Sequence, residues 1–220
     1  MHFTGKFRQN PHMDTIQHLA LAGGLAWASG FRLYAAVFIV GLMSRLGYLH
    51  LPGDLELLQH NLVLGVSGVM LVGEFLADKV PAFDSLWDGL HTFIRIPAGA
   101  LLAWGAFGDT DPSMQLAAGL AGGFISGGTH LFKTGGRAAL NTSPEPFSNW
   151  TASFGEDGLL LAGLWLTFAH PLVFLVLLAL FLLLVIWLVP KLLRFIMRVL
   201  RRIGGKPGVA ASESTALRKR

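Results

Sequence analysis

The chain has 220 residues, of which 53% are hydrophobic and 14% charged, with a mean hydropathy of +0.56. Soluble domains carry roughly 25% charged residues, so this composition excludes one and reads as a polytopic membrane protein with a single membrane domain. There are no cysteines, which removes disulfides and thiolate chemistry.

The formal net charge of +4 hides an asymmetry. Residues 191–220 hold nine Lys or Arg and one acid, Glu213, whereas residues 1–190 hold eight basic residues and twelve acids. The membrane body is therefore net acidic and the tail strongly basic. Because that tail directly continues an apolar span and lacks interleaved aromatics, it reads as a cytoplasmic end facing anionic lipids, with no nucleic-acid partner.

In chain order, residues 1–13 are polar with Lys6 and Arg8 and read as a cytoplasmic N-terminal segment. The apolar stretch that follows begins like a signal peptide but continues past Arg32 to Leu46, so it reads as a retained anchor and first span. About 31 residues at ~1.5 Å each make ~46 Å, too long for a ~30 Å hydrocarbon core unless the helix tilts or breaks. Gly23-Gly24 or Ser29-Gly30 is the expected break, with Arg32 just beyond it. The same small residues equally suit the close approach of a neighbouring helix.

A polar connection over 50–59 leads to a second span over 61–76, which ends in Glu74 and Asp78. The third span starts with Asp84, Asp88, His91 and Arg95 at i, i+4, i+7 and i+11, one face of a helix, and runs to Phe107 with a kink expected at Pro97. The acidic 108–112 loop reads as external. The fourth span, from about Met114, passes Gly119, Gly122-Gly123 and Ser126-Gly127-Gly128. It then presents His130, Lys133, Arg137 and Asn141 at i, i+3, i+7 and i+11, a second polar stripe. An Arg or Lys near a bilayer centre costs about 2.5–3.5 kcal/mol, so such residues persist by pairing, by lining a wet cavity or at the interface.

After a turn containing Glu145, Asn149 and the acids Glu156 and Asp157 precede an apolar run over 158–189. That run is about twice the minimum for one span, and His170-Pro171 divides it. With basic ends inside and the acidic loop outside, six spans are expected and both termini are placed in the cytoplasm of a bacterium, across its inner membrane. The transmembrane domain is 14–190, followed by a basic amphipathic segment over 191–203 and a disordered tail over 204–220.

LAGGLAWASGFRLY (21–34) and GLAGGFISGGTHLF (119–132) resemble one another at a spacing of 97 or 98 residues. Three spans per half, about 14–107 and 113–190, would invert the second copy. Glycine-interrupted first helices of inverted repeats point to a transporter-like site, with Gly30, Gly127 and Gly128 as backbone-break positions. Common packing needs of small residues explain the same similarity.

Two longer motifs, EFLADKVPAFDSLWDGLHTFIRIPAGALLA (74–103) and HLFKTGGRAALNTSPEPFSNWTASFGEDG (130–158), resemble the bacterial membrane family catalogued as domain of unknown function 4126. The resemblance runs from about residue 19 to 189 and implies a multi-span membrane protein. It carries no activity, substrate or cofactor.

The candidate pathway residues are Arg32, Glu74, Asp78, Asp84, Asp88, His91, Arg95, His130, Lys133, Arg137, Asn141, Glu145 and Asn149. Opposite charges brought together lower one another's desolvation cost, so a network between the halves is expected. Its expected use is a small transporter or channel for an unidentified solute or ion, with no cofactor and with a homo-oligomer as the possible assembly. The alternatives are a structural or lipid-binding assembly protein, and a metal-dependent enzyme acting on a lipid-linked phosphate. No HExxH, GxSxG or GxxxxGK[ST] spacing supports the enzyme, and no catalytic residue is assigned.

Overall fold

The computed structural model describes residues 14–77, 81–108, 110–140 and 146–204, and among them it contains helices and no strand. The order is α1 (Thr15–Arg45), a 3-10 helix (Gly53–Gln59), α2 (Asn61–Ala77), α3 (Pro81–Gly105), α4 (Pro112–Leu140), α5 (Pro146–Ala169) and α6 (Pro171–Gly204). The last four each begin with proline, whose fixed φ and missing N–H suit the first helical position. Helix α1 begins with a capping box: Gln17 N–H donates to Asp14 Oδ1 at 2.9 Å, and Asp14 N–H to Gln17 Oε1 at 3.2 Å. It ends at Arg45 with Leu46 as its cap, and the next residue, Gly47, has a φ of +77°, the left-handed value that turns the chain away.

Helix α1 is the buried centre of the bundle. Ala20, Leu25, Ala26, Ala28, Arg32 and Ala36 are all inaccessible. Its small residues admit neighbours at backbone distance. A Cβ on Gly30 would lie 2.5 Å from both Ser126 O and Thr129 Cβ of α4, and Gly24 lies under Thr167 of α5. The Trp27 ring in turn covers Gly163. The close-approach role of these glycines thus holds, and the break falls beyond them. Arg32 alone has non-helical torsions, φ −149° and ψ 87°.

That break turns the chain back. The first limb, 15–31, runs antiparallel to α3, with His18 Nδ1–H donating to Ala106 O at 2.7 Å and Ser29 Oγ to Arg95 O at 3.2 Å. The second limb starts beside the same helix, where the Tyr34 and His91 rings meet edge-on at 5.6 Å. It then climbs alongside α2, with Phe38 against Gly68 and Gly41 against Leu58 and Leu64. The following 3-10 helix sets Leu55 on Gly105 and Asp54 on Gly108. Both limbs therefore lead to the C-terminal end of α3.

Helix α4 returns along α3 as the tightest pair. Gly99 sits under the Ser126 side chain, and Gly122 sits under Ala103 and the Gly99 carbonyl, a small-residue seam. Helices α5 and α6 separate at His170, as the His170-Pro171 signal predicts. Helix α5 runs antiparallel to the first limb of α1, pairing Gly163 with Trp27 and Thr167 with Gly24. Helix α6 packs along α4, from Leu175 and Leu178 near 114–125 to Val185 at Gly128.

The all-helical expectation holds, and one finer expectation is corrected: Gly127 and Gly128 do not break α4, which is continuous from Pro112 to Leu140. Ser29 and Ser126, equivalent in the repeat and 97 residues apart, touch at 3.0 Å on helices running in the same direction. Because α1 turns back at Arg32, the start of α1 and the end of α6 lie at opposite ends of the bundle.

Candidate functional site

Charged side chains from five helices gather at the break in α1. Arg32, fully buried, is held by α5: its Nε lies 2.8 Å from Asp157 Oδ1, and its Nη2 donates to Ser153 Oγ at 2.8 Å and to Ser153 O at 3.4 Å. One residue earlier, the carbonyl of Phe31 accepts from Lys133 Nζ at 3.3 Å. A lysine of α4 thus satisfies the backbone where the first limb of α1 ends.

Arg95 joins α2, α3 and α4. Its Nη2 lies 2.6 Å from Glu74 Oε1, with both side chains inaccessible to solvent. Its Nη1 lies 3.0 Å from Asp88 Oδ1 and 3.1 Å from His130 Nδ1. A guanidinium only donates, so His130 Nδ1 accepts and the ring proton sits on Nε2. Nε2–H then donates to Thr92 Oγ1 at 2.6 Å, and Thr92 to the Asp88 carbonyl at 2.9 Å. The main chain of Arg95 is fixed as well, its carbonyl accepting from Ser29 and from Ser126 at 2.9 Å.

Arg137 closes the other end as a two-pronged pair with Glu156, Nε to Oε1 at 2.9 Å and Nη2 to Oε2 at 3.0 Å. Lys133 lies between the two groups, 3.5 Å from Asp88 Oδ1 and 3.8 Å from Glu156 Oε2. The described cluster has four cations (Arg32, Arg95, Lys133, Arg137) and four anions (Glu74, Asp88, Glu156, Asp157). Among the described residues the charges balance, and pairing of this kind lowers the cost of burying them.

Of the residues predicted from sequence, Arg32, Glu74, Asp88, Arg95, His130, Lys133 and Arg137 meet in this cluster. His91 does not join the ion pairs. Its Nδ1–H donates to Trp87 O at 2.8 Å, and its ring stacks on Trp87 at 4.2 Å. Asp78, Asn141 and Glu145 lie outside the described residues, as do the side chains of Asp84 and Asn149. Gly30 borders the break, whereas Gly127 and Gly128 face Ile96 and Val185.

Sequence reasoning missed the hydroxyls of Ser29, Thr92, Ser126 and Ser153. The equal spacing of Ser29 and Ser126 in the repeat was a signal for two of them. Among the described residues, no three His, Asp or Glu side chains are grouped to hold a metal ion.

The outside of the bundle reverses the usual polarity. Phe93, Leu101, Leu120, Phe124, Trp165, Leu172 and Leu183 are all more than half exposed, while the ionic groups lie within. Two helices, α1 and the Pro171–Lys191 part of α6, are long and apolar enough to cross a membrane, and a third is if the 3-10 helix and α2, bent by 65°, count as one span. Fold and site together define a helical membrane-type protein with a charged interior. The chain belongs to the family described as Domain of unknown function (DUF4126), whose model matches residues 19–191. No curated protein and no solved structure matches the chain.

Proposed function

We propose that this is a small multi-pass transporter or channel of the bacterial inner membrane, moving an ion or small solute past the break in α1. In this reading α2 to α6 cross the bilayer and α1 enters and leaves from the outside. The basic segment after Val189 lies inside against anionic lipids, with Lys191 Nζ 3.1 Å above the Trp187 ring as an interfacial anchor.

The observation that carries the reading is a discontinuous helix with ionisable residues gathered at its apex inside an apolar-coated bundle. Broken backbone at membrane depth is tolerated where protein buries it or a cavity lines it, and half-helix ends of this kind form the binding sites of transporters. Depth supports this placement. Trp150 and Trp165, both about half exposed, mark an interval on α5 of ~22 Å at ~1.5 Å per residue, and Glu156 lies ~9 Å inside it.

The test is flux into proteoliposomes for a panel of inorganic cations, anions and small zwitterions, comparing the native chain with Asp88→Asn. Flux that depends on protein and is lost in the variant supports the proposal. A membrane scaffold is the second reading, favoured by how fully the ion pairs close on one another. It predicts no flux of any solute from protein whose fold is intact.

A further inference from the structure

Adjacent glycines of α1 seat two different helices, Gly23 under Leu178 of α6 and Gly24 under Thr167 of α5. Helices α5 and α6 therefore straddle α1 and leave a crevice of about 230 Å³ between them. One turn further along α1 the Trp27 ring forms its floor, lying so close over Gly163 that a Cβ there would sit 2.3 Å from the ring.

The crevice opens outward. Leu159, Ala162 and Leu177 at its mouth are exposed, the two leucines at 48% and 47%, whereas Phe174 and Trp27 at its bottom are 4% and 6% exposed. Around the mouth the same two helices present Trp165, Val173, Val176 and Leu180 outward, so the crevice is continuous with the apolar coat of the bundle.

Its lining selects the occupant. Among the described lining residues Trp27 supplies the one polar side-chain atom, its indole N–H. A buried water needs about two to four polar partners, and an apolar cavity of about 150 Å³ stays dry and binds benzene. Left empty, the walls would forfeit dispersion contacts. At a mouth that opens into a bilayer, the apolar material at hand is the hydrocarbon of the lipids themselves.

The floor ties this crevice to the break in α1. Trp27 stands edge-on to Phe31 at 5.0 Å and to Phe174 and Phe181 at 6.1 and 6.4 Å, and Phe31 directly precedes the non-helical Arg32. A chain in the crevice packs against the ring that backs the end of the first limb.

We infer that the crevice between α5 and α6 is a binding site for one acyl chain of a bilayer phospholipid, held against Trp27 beside the break. The site rests on the bilayer placement proposed above and not on transport.

Bromine on an acyl chain quenches tryptophan emission at near contact, which makes Trp27 the reporter. The native chain and Ala162→Phe, which fills the crevice, are each compared with the same chain carrying Trp27→Phe. All four are stripped of lipid by repeated detergent exchange and reconstituted into phosphatidylcholine with plain or mid-chain-dibrominated acyl chains. The emission lost on Trp27→Phe is the share of Trp27. In brominated lipid that share is expected to disappear from the native chain and to survive in the Ala162→Phe background. Leu177→Phe, which fills the crevice from α6, takes the place of Ala162→Phe if the latter does not melt as a folded protein.

A Trp27 share that survives in the native chain in brominated lipid overturns the site. So does a share lost equally with the crevice filled, because bromine then reaches the ring by another way. Total emission separates the site from the placement, since the exposed Trp165 should be quenched in every chain. Quenching of the remaining tryptophans with the Trp27 share intact removes the site alone. Emission unchanged by bromine in all four chains removes the bilayer placement as well.

Discussion

Replacing Arg95 with methionine tests whether the network holds the bundle together or only decorates it. Arg95→Met keeps the length and apolar bulk of the side chain and removes the guanidinium that bridges Glu74 at 2.6 Å, Asp88 at 3.0 Å and His130 at 3.1 Å. Asp88 keeps Lys133 at 3.5 Å, but Glu74 loses a charge partner at a site with no solvent access. Among the described residues the cluster then carries three cations against four anions. Removing one partner of a buried pair costs about 3–5 kcal/mol, a large part of a total stability of about 5–15 kcal/mol.

Glu74→Gln should cost less, about 1–3 kcal/mol, because the amide oxygen still accepts from the guanidinium. In Arg95→Met/Glu74→Gln the charge balance returns, so the double loss should fall short of the sum by about 1–3 kcal/mol. Arg95→Lys should lie between native and Arg95→Met, since one ammonium cannot reproduce a fork spanning three acceptors. Equilibrium unfolding in bicelles measures all four variants. A loss below about 1 kcal/mol for Arg95→Met, or additive losses in the cycle, would refute the structural coupling argued from these distances.

Four further outcomes follow from particular contacts. Gly30→Ala should destabilise by about 1–3 kcal/mol, because the new methyl meets the Ser126 carbonyl and Thr129 and must part α1 from α4. Gly128→Ala, with only Val185 Cγ1 at 3.4 Å, should be close to native in the same melting assay. Ser153→Ala should cost about 1.5–3 kcal/mol by removing a hydroxyl bonded to the buried Arg32 guanidinium. The chain has no cysteine, so single-cysteine labelling is clean: Tyr48→Cys, Thr110→Cys and His170→Cys should react from one face of the membrane and Met197→Cys from the other. Labelling of Tyr48→Cys and Thr110→Cys from opposite faces would restore α1 as a through-span. At the start of α4, the hydroxyl and N–H of Ser113 hold the Asp111 carboxyl below the usual carboxylate range. A depressed acid stabilises the fold above its unfolded value and loses that contribution as pH falls through the folded value. Carboxyl NMR of Ser113→Ala should therefore show Asp111 titrating at higher pH than in the native chain.

By itself the sequence determined that the chain is helical and which side chains would be gathered. Composition excluded a soluble fold, and His170-Pro171 divided the last apolar run. The two polar stripes were legible because a helix brings residues three, four and seven apart onto one face, whatever surrounds it. Seven of the thirteen candidate residues accordingly meet in one described cluster.

Which partner each charge takes, and which way the helices run, only the tertiary structure decided. Arg137 of α4 pairs with Glu156 of α5, and Arg95 of α3 with Glu74 of α2, because those helices pack together; no spacing within one helix encodes that. Gly127 and Gly128 looked like a break but lie in a continuous helix, since glycine lowers the penalty of a bend and of a close approach alike. Arg32, a residue with no helix-breaking chemistry of its own, carries the break. There the buried pairs with Asp157 and Ser153, together with Lys133 on the Phe31 carbonyl, stabilise torsions that local propensity does not favour. A reversal sustained by partners more than a hundred residues away leaves no local signal in the chain.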